Sequence, residues 1–387
     1  MSSLFYNLFF HQNEKPRGWV RYILFKPSRT KVPRKIFTKL VYQKDGNVHP
    51  HFAAWQRGAI TQQSDQPPDL VAQFLTALGA SNGVEYRNAK QWYDADHPEV
   101  SIVILNWNKA ALTAQCLHEI WKHTVGASYE IVVLDQGSQL GELLPFVDLP
   151  RQFRLVRLGA NRMFGEGNNI AAEAAKGKFL LFLNNDAFVT RGWLAPLVKA
   201  AHEPFVGAVG PMFVYPDGKL QECGSFIDTN GDPKQRGKGL TTVIDSLIVP
   251  ESVHYVSAAC LLVKKELFEE LDGFSLDFEP TYYEDVDLCF RLRKLGYEMR
   301  YQPEAKIVHI ENYSTREMGE ARQQGIILNR QRFVNRHKDL IGTDVTSCST
   351  REVLAINSLP DRPVAGRVGL YTPFILTAGG GNVFSSL

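Results

Sequence analysis

The sequence predicts an α/β protein with a mostly parallel central sheet and helices on both faces. Apolar, β-rich runs recur along the middle of the chain: VSIVILNW at 100–107, YEIVVLD at 129–135, FRLVRLG at 153–159 and KFLLFLN at 178–184. Segments with helical spacing stand between them, namely AALTAQCLHEIWKHT at 110–124 and NNIAAEAAKG at 168–177. Strands that alternate with helices indicate βαβ units, whose strands run parallel.

Two further helices frame this pattern. The segment LVAQFLTALGA at 70–80 follows a polar, proline-containing linker and ends near Gly79. Near the other end, Leu288, Leu292 and Leu295 repeat at helical spacing, and Gly296 supplies a stop signal. The sequence predicts three segments: a basic accessory region at 1–97, an α/β domain at 98–340, and a linker at 341–387 that leads into a following domain.

The composition is that of an ordinary globular protein. The 387 residues are 44% hydrophobic and 22% charged, with a net charge of +2, so charge alone does not indicate nucleic acid binding. No apolar run approaches the ~18–20 residues that span a bilayer, and the N-terminus lacks the basic region of a secretory signal. Five widely spaced cysteines are typical of reduced thiols. We expect a cytoplasmic protein.

A basic stretch lies in the N-terminal region. Between Lys15 and Lys44 there are ten Lys or Arg residues and no acidic residue, interleaved with aromatic side chains. This pattern suits an anionic surface such as membrane headgroups, which would place the protein peripherally at the inner face of the cytoplasmic membrane. It equally suits a solvated basic face of a small accessory domain. Nucleic acid is disfavoured because no recognised binding motif accompanies the charge.

Polar residues that close the predicted strands are the first candidates for a site, because ligands bind outside the carboxyl ends of parallel strands. Asn106 and Asn108 follow the first strand, and Asp135 ends the second. Asp135 could accept a base N–H or a ribose hydroxyl, or it could cap the turn DQGS. Gly165, in the stretch NRMFGEGNN, precedes a helix predicted to begin near Asn168, whose free N–H groups suit phosphate; a flexible loop is the alternative.

A metal site is suggested where the fourth strand ends. Asp186, beside Asn184 and Asn185, suits Mg²⁺ or Mn²⁺ held together with a diphosphate. The alternative is that Asp186 caps the helix that follows. His309 ends another strand-like run, AKIVHI, and is either a third metal ligand or a core residue.

Three carboxylates open the helix of the motif YYEDVDL. Glu284, Asp285 and Asp287 lie in its first turn, where the helix dipole favours negative charge. We assign that structural role to Asp287. Asp285 could instead act as a general base that takes a proton from an acceptor hydroxyl.

Five stretches in this order resemble the inverting family 2 glycosyltransferases, which have the nucleotide-sugar-binding A-type fold. The resemblance covers residues 98–335 and points to the branch that builds bacterial surface polysaccharides such as O-antigen or capsule, including rhamnosyl- and galactofuranosyltransferases. The stretches are VSIVILNWN, IVVLDQGS, NRMFGEGNNIAAEAAKGKFLLFLNND, VSAACLLVKKELFEELDGF and YYEDVDLCFRLRKLGYEMRYQPEAKIVHIENYS.

The resemblance implies a role for each candidate. Asp186 and His309 correspond to metal ligands, and Asn184 replaces the first Asp of the family's Asp-x-Asp motif, as in many enzymes of this branch. Asp285 corresponds to the catalytic base. The implied nucleotide-binding residues are Asn106, Asn108, Asp135, Gly165, Asn168 and Asn185. The residues implied along the donor and acceptor cleft are Ser257, Ala258 and Glu284.

The implied reaction is a metal-dependent, single-displacement transfer from a UDP- or dTDP-sugar to a hydroxyl of a glycan or lipid-linked oligosaccharide, with Mn²⁺ or Mg²⁺ as cofactor. The stretch RVGLYTPFILTAGGG at 367–381 resembles the opening of a family 4 glycosyltransferase. One alternative is a catalytically degenerate sugar-binding or scaffold module, which Asn184 favours and the intact YYEDVDL disfavours. A nucleotidyltransferase would need a basic phosphate loop after the first strand, and NWNKAAL is a poor one.

Overall fold

The computed structural model describes residues 68–80, 89–150, 152–280, 282–311 and 319–343. The basic stretch at 15–44 and the family 4-like stretch at 367–381 lie outside these residues. The helices are α1 (Pro68–Ala80), α2 (Ala89–Trp92), α3 (Ala110–His123), α4 (Met163–Ala174), α5 (Leu194–Ala201), α6 (Lys265–Glu270), α7 (Glu284–Lys294) and α8 (Gly319–His337).

The strands are β1 (Val100–Asn106), β2 (Tyr129–Asp135), β3 (Arg154–Arg157), β4 (Phe179–Leu183), β5 (Ala187–Val189), β6 (Val206–Val214), β7 (Leu220–Glu222), β8 (Ser225–Ile227), β9 (Pro233–Gln235), β10 (Glu251–Val253), β11 (Cys260–Lys264) and β12 (Glu298–His309). Ten of them form one sheet, and β8 pairs with β9 in a separate hairpin.

The first half of the sheet is the parallel α/β unit that the sequence predicts. Its strand order is β4-β1-β2-β3, and all three pairings are parallel. The connection through α3 leads from β1 to one side of the sheet, and the connection through α4 leads back past β1 to β4. Right-handed crossovers in opposite directions place the two helices on opposite faces. The chain order therefore reverses at β1, and such reversals open a crevice at the carboxyl ends of the strands.

The second half of the sheet contains antiparallel pairings that the alternating pattern did not predict. Strand β11 runs antiparallel to both of its neighbours, β4 and β6. Strand β12 returns parallel to β6, and β5 pairs antiparallel with β12. The β5–β12 pairing brings the segment after β4 beside the end of β12. The predicted fold class is confirmed, as an α/β sheet with a parallel half and a mixed half.

The core lies on both faces of this sheet. All seven residues of β2 and all five of β4 are buried, although β2 ends on a carboxylate. Each fully buried aliphatic side chain contributes roughly 1.5–3 kcal/mol to folding, so these strands position the polar residues at their ends rigidly. In the described part of the chain, no helix combines the length and apolar character that crossing a membrane requires.

The predicted start of α4 near Asn168 is wrong, because the helix begins at Met163. Both glycines of the stretch therefore lie inside the helix. A Cβ at Gly167 would lie 2.8 Å from Gln136 Oε1, whereas at Gly165 it would meet only ordinary contacts at 3.6 Å or more. The glycine at 167 thus permits close packing of α4 on the loop after β2. The Asn168 amide donates to Phe164 O within the same helix (3.0 Å).

Candidate functional site

A buried hydrogen-bond network joins the carboxyl ends of β1 and β2. Asn106 Nδ2 donates to Asp135 Oδ1 at 2.8 Å and also lies 3.3 Å from Ser138 Oγ. The backbone N–H of Asn108 donates to the same Ser138 Oγ at 2.8 Å. Asn108 adopts a positive φ of 50°, a backbone state that costs a non-glycine residue energy and that concentrates at functional sites. The network therefore holds the exit of β1 against the turn after β2.

The carboxylate of Asp135 is already filled by donors. Oδ1 accepts from Asn106 and from the Ser138 hydroxyl, and Oδ2 accepts from the Ser138 N–H at 3.2 Å and from Arg157 Nε at 3.3 Å. An ionised carboxylate offers about four lone-pair sites. A base N–H that contacts Asp135 therefore has to replace one of these donors. Arg157 has the longest of these contacts, and its side chain is 40% exposed, so it is the donor that exchanges most readily.

The network continues to the loop after β4. Thr113, on α3, donates its hydroxyl to Asn106 Oδ1 at 2.8 Å, and Asn185 Nδ2 donates to Thr113 Oγ1 at 3.1 Å. The structure thus brings together Asn106, Asn108, Asp135 and Asn185. Gly165 and Asn168 lie apart from this network, inside α4, and their nucleotide-binding role stays a prediction.

Asp186 and His309 face each other where β5 pairs with β12. Asp186 Oδ1 lies 3.4 Å from His309 Nε2, and the backbone O of Asp186 accepts from Ile310 N at 3.0 Å. Both side chains are buried, and neither Asp186 Oδ1 nor His309 Nε2 has a hydrogen-bond partner among the described residues. Burial opposes charge on His309, but the Asp186 carboxylate outweighs it and raises the pKa of His309 above its ordinary value.

These two residues suit a divalent cation. A carboxylate oxygen and an imidazole nitrogen 3.4 Å apart can both contact one ion at ligand distances of about 2.0–2.2 Å. Asn184 lies two residues before Asp186, and its side chain is partly exposed. No group of three His, Cys, Asp or Glu side chains that could hold a metal ion occurs within the described ranges. Further ligands would have to come from an amide, from water or from a bound phosphate, which is usual for Mg²⁺.

Two consecutive residues, Ala258 and Ala259, connect Asp285 to the loop after β4. Its Oδ2 accepts from Ala258 N at 3.0 Å, and the neighbouring Ala259 O accepts from Asn184 N at 3.0 Å. Asp285 Oδ1 accepts from Val286 N at 2.9 Å. Burial raises the pKa of Asp285, although these backbone N–H groups limit the rise. The predicted base has no cationic hydrogen-bond partner among the described residues, and its side chain is partly exposed.

Two more buried carboxyl groups surround Asp285. Glu284 is 3% exposed, its Oε1 has no hydrogen-bond partner among the described residues, and burial followed by the charge of Asp285 raises its pKa well above the ordinary value. Burial, reinforced by Asp285, raises the pKa of Glu222 to about 7. Sequence reasoning missed Glu222, because three-residue β7 carries no periodic signal.

Asp287 has the structural role that the sequence predicts. Its carboxylate accepts from Arg291 Nε at 2.7 Å, from Arg336 at 3.0 Å and from His337 Nε2 at 2.8 Å, and so ties α7 to α8. Burial alone would raise the pKa of Asp287, but these cationic partners lower it.

The chain enters α7 under backbone strain. Tyr282 and Tyr283 both have positive φ, 71° and 74°, directly before Glu284. Such states cost about 1–3 kcal/mol each and persist only where the surroundings enforce them. The hydroxyl of Tyr283 donates to Gly231 O at 3.0 Å, which anchors this turn to the loop between β8 and β9. The strain fixes the direction in which Glu284 and Asp285 leave the turn.

Comparison with known proteins finds a family model and several relatives that match part of this chain. Residues 101–272 match the model of glycosyl transferase family 2. The O-antigen biosynthesis protein RfbC of Myxococcus xanthus is 30% identical over 227 residues, which cover 57% of this chain and 18% of that protein. The N-acetylglucosaminyl-diphospho-decaprenol L-rhamnosyltransferase of Mycobacterium tuberculosis is 28% identical over 208 residues, 48% of this chain and 67% of that protein. The matched part thus spans less than a fifth of the first relative.

A solved structure shares the fold. The crystal structure of GalNAc-T7 with UDP, GalNAc and Mn²⁺ superposes with a TM-score of 0.51 at 17% identity, and the match covers 72% of this chain and 58% of that one. At this identity the likeness shows the fold, which is the A-type α/β architecture expected from the motifs.

Proposed function

Because residues 101–272 belong to a glycosyl transferase family 2 domain, we propose that the chain is an inverting, metal-dependent glycosyltransferase. It moves a hexose or deoxyhexose from a UDP- or dTDP-sugar to a hydroxyl of a growing bacterial surface glycan of O-antigen or capsule type. The observation that carries the proposal is the connection of Asp285, through Ala258 and Ala259, to Asn184 in the loop that also holds Asp186 opposite His309. The names of the relatives support the class of glycan.

The donor site comprises the network at β1 and β2 and the pair at β5 and β12. Asn106, Asn108 and Asp135 orient the nucleoside, with a pyrimidine N–H taking the place of Arg157 at Asp135. Asp186 and His309, with Asn184 beside them, would hold Mn²⁺ or Mg²⁺. A divalent cation bound there supplies positive charge against the leaving diphosphate.

Asp285 performs the proton transfer. The acceptor oxygen forms a bond to the anomeric carbon while the bond from that carbon to the diphosphate breaks, so the configuration inverts. The hydroxyl proton goes to the Asp285 carboxylate, whose raised pKa makes it a better base than an ordinary aspartate. No covalent enzyme intermediate forms. The four described cysteines do not serve as nucleophiles, since they are buried and burial raises the pKa of each thiol.

A donor-binding assay tests this proposal. UDP- and dTDP-sugars should raise the melting temperature of the protein only when Mn²⁺ or Mg²⁺ is present, by an amount equivalent to about 2.7 kcal/mol at 100 times Kd. Asp186→Asn should abolish the metal-dependent shift. Asp148→Asn, at an exposed aspartate before β3, is the matched control and should keep it. Transfer to an acceptor glycan is then followed by mass spectrometry.

The scaffold alternative predicts a different result. The two-residue pair and the amide at 184 favour a degenerate site, because most free-standing metal sites offer more protein ligands. A protein of that kind would show no metal-dependent shift across the whole panel of nucleotide sugars. That result would overturn the transferase assignment of this chain.

Two further parts of the proposal concern residues outside the described ranges. Contact of residues 15–44 with an anionic leaflet predicts co-sedimentation with anionic liposomes that weakens as salt rises. Absence of co-sedimentation at low salt would contradict it. The family 4-like stretch at 367–381 predicts a second transferase module that acts on the same glycan.

A further inference from the structure

The imidazole of His309 is held between two acceptor oxygens on opposite sides. Its Nε2 lies 3.4 Å from Asp186 Oδ1, and its Nδ1 lies 3.1 Å from Gln221 Oε1. Gln221 is 4% exposed and His309 is 9% exposed, so water does not readily replace either contact. A neutral imidazole carries one proton, and the group that accepts it decides which nitrogen keeps a lone pair.

A β-bulge aims Gln221 at His309. In the β6–β7 pairing, Phe213 faces Glu222 and Val214 faces Leu220, so Gln221 is the extra residue between two consecutive pairs. On the other side of β6, Val214 pairs with Val308 of β12, next to His309. Bulges interrupt regular pairing and redirect a side chain, and they are common beside active sites. Here the redirected side chain reaches across β6 to the imidazole.

We propose that Gln221 is a positioning residue that fixes the tautomer and ring orientation of His309, so that Nε2 offers its lone pair to a divalent cation bound by Asp186. This inference rests on the metal site of the proposed function. When Gln221 Oε1 accepts the Nδ1 proton, the unprotonated Nε2 faces Asp186 Oδ1. Two acceptors at that distance repel each other until a cation lies between them. Partners of this kind typically change metal affinity about 10–100-fold when they are removed.

The opposite amide orientation makes the opposite prediction. If the Gln221 side chain instead presented its N–H₂ group, it would donate to Nδ1, and the imidazole proton would move to Nε2. A protonated Nε2 hydrogen-bonds to Asp186 and excludes a metal ion. The tautomer of His309 in the Mg²⁺-loaded protein therefore separates the two arrangements without any measurement of activity.

The test combines a tautomer measurement with a binding measurement. ¹⁵N NMR of the protein loaded with Mg²⁺, which is diamagnetic, should show His309 protonated at Nδ1 and unprotonated at Nε2. Mn²⁺ titrations followed by electron paramagnetic resonance should show that Gln221→Met weakens Mn²⁺ binding about 10–100-fold. Gln221→Glu, which restores an acceptor of the same length, should bind Mn²⁺ within a few-fold of the unmodified protein.

Gln302→Met is the matched control. Gln302 is also a buried glutamine, on the same strand as His309, and its Oε1 faces Glu304 N at 3.5 Å. This control should leave Mn²⁺ affinity unchanged. An Nε2-protonated tautomer in the Mg²⁺-loaded unmodified protein, or equal Mn²⁺ affinity in Gln221→Met, would overturn the role of Gln221. Failure of the unmodified protein to bind Mn²⁺ would instead identify the metal site of the proposed function as wrong, and this inference would fall with it.

Discussion

Asp135 and Asp186 follow two strands on either side of β1, yet their carboxylates have opposite surroundings. Asp135 accepts four hydrogen bonds, from Asn106, Ser138 and Arg157. Asp186 Oδ1 has no hydrogen-bond donor among the described residues and faces an imidazole nitrogen. Both are almost completely buried, so burial alone does not distinguish them. The protein uses the first carboxylate to organise a turn, whereas Oδ1 of the second faces only the His309 imidazole, and a proton or a divalent cation can lie between the two.

The first turn of α7 repeats this contrast within three residues. Asp287 has Arg291, Arg336 and His337 as partners, and they lower its pKa. Among the described residues, Asp285 accepts hydrogen bonds only from backbone N–H groups, and burial raises its pKa. A carboxylate with cationic partners stabilises the fold, whereas one without them is a stronger base. We call a carboxylate with cationic partners closed and one without them open. The same type of substitution should affect the two differently.

The largest effect is expected at the open carboxylate Asp285. Asp285→Asn removes the group that accepts the hydroxyl proton, and general bases contribute about 10²–10⁴-fold to turnover. We therefore expect kcat to fall about 10³-fold, while donor binding and the melting temperature stay close to those of the unmodified protein. Steady-state kinetics and donor thermal shifts measure the two effects separately. Normal turnover in this variant would remove Asp285 from the mechanism.

The matched substitution at the closed carboxylate should act on stability. Asp287→Asn removes the charged partner of Arg291 and His337 and one of the two carboxylates that face Arg336, and breaking a buried ion pair costs about 3 kcal/mol. For a domain of this size, that corresponds to a fall in melting temperature of roughly 10 °C. Thermal denaturation followed by circular dichroism measures it. A melting temperature equal to that of Asp285→Asn would show that the two carboxylates do not differ in this way.

The pH dependence of this effect has a definite sign. The pKa of Asp287 is lowered in the folded chain, so its stabilisation is present above the unfolded pKa and is lost as pH falls through the folded pKa. The difference between the unmodified protein and Asp287→Asn should therefore shrink in acid.

Glu222 is an open carboxyl group whose effect on stability has the opposite sign. Burial raises its pKa from 4.5 to about 7, so the folded chain keeps a proton that the unfolded chain releases. Stability falls as pH rises from 4.5 to about 7 and then levels off. Glu222→Gln removes this penalty and should stabilise the protein by about 2 kcal/mol above neutral pH, with little effect in acid. Denaturant unfolding at several pH values tests this. A gain that is largest in acid would contradict it.

The parts of the fold that the sequence predicted are those with local signals. Strands β1, β2 and β4 are apolar runs closed by polar residues, and the structure ends them within one residue of the predicted limits. The order of β6, β11 and β12 was not predicted, because pairing between strands distant in sequence depends on contacts that no local pattern records. The predicted start of α4 was wrong. Gly165 and Gly167 were placed before the helix, although both lie inside it and Gly167 permits close packing.

The site could be predicted only in part, for the same reason. Asp186, Asp285 and His309 stand beside strand ends or in a helix start, where sequence position indicates their type of role. Gln221 and Glu222 come from a three-residue strand, and only the bulge directs Gln221 toward His309. One of the four donors to Asp135 is Arg157, and the register of β2 and β3 places it there. The sequence therefore indicated the carboxylates, but it did not indicate which of them already have hydrogen-bond or ion-pair partners in the fold.

The smallest expected effect is the most direct test of the contrast between Asp135 and Asp186. In metal-free protein, Asp135→Asn turns an amide N–H₂ group toward donors such as Ser138 N or Arg157, which should cost about 1 kcal/mol. Asp186→Asn replaces a carboxylate whose Oδ1 faces the His309 imidazole, so at a pH where that imidazole is neutral the free energy of unfolding should change by less than half of that. Adding Mn²⁺ should reverse the order, because only the protein that keeps Asp186 gains stability from the ion. Urea unfolding with and without Mn²⁺ measures all four values. A larger loss at Asp186 than at Asp135 without metal would mean that the protein itself already satisfies Asp186, and the metal site would lose its physical basis.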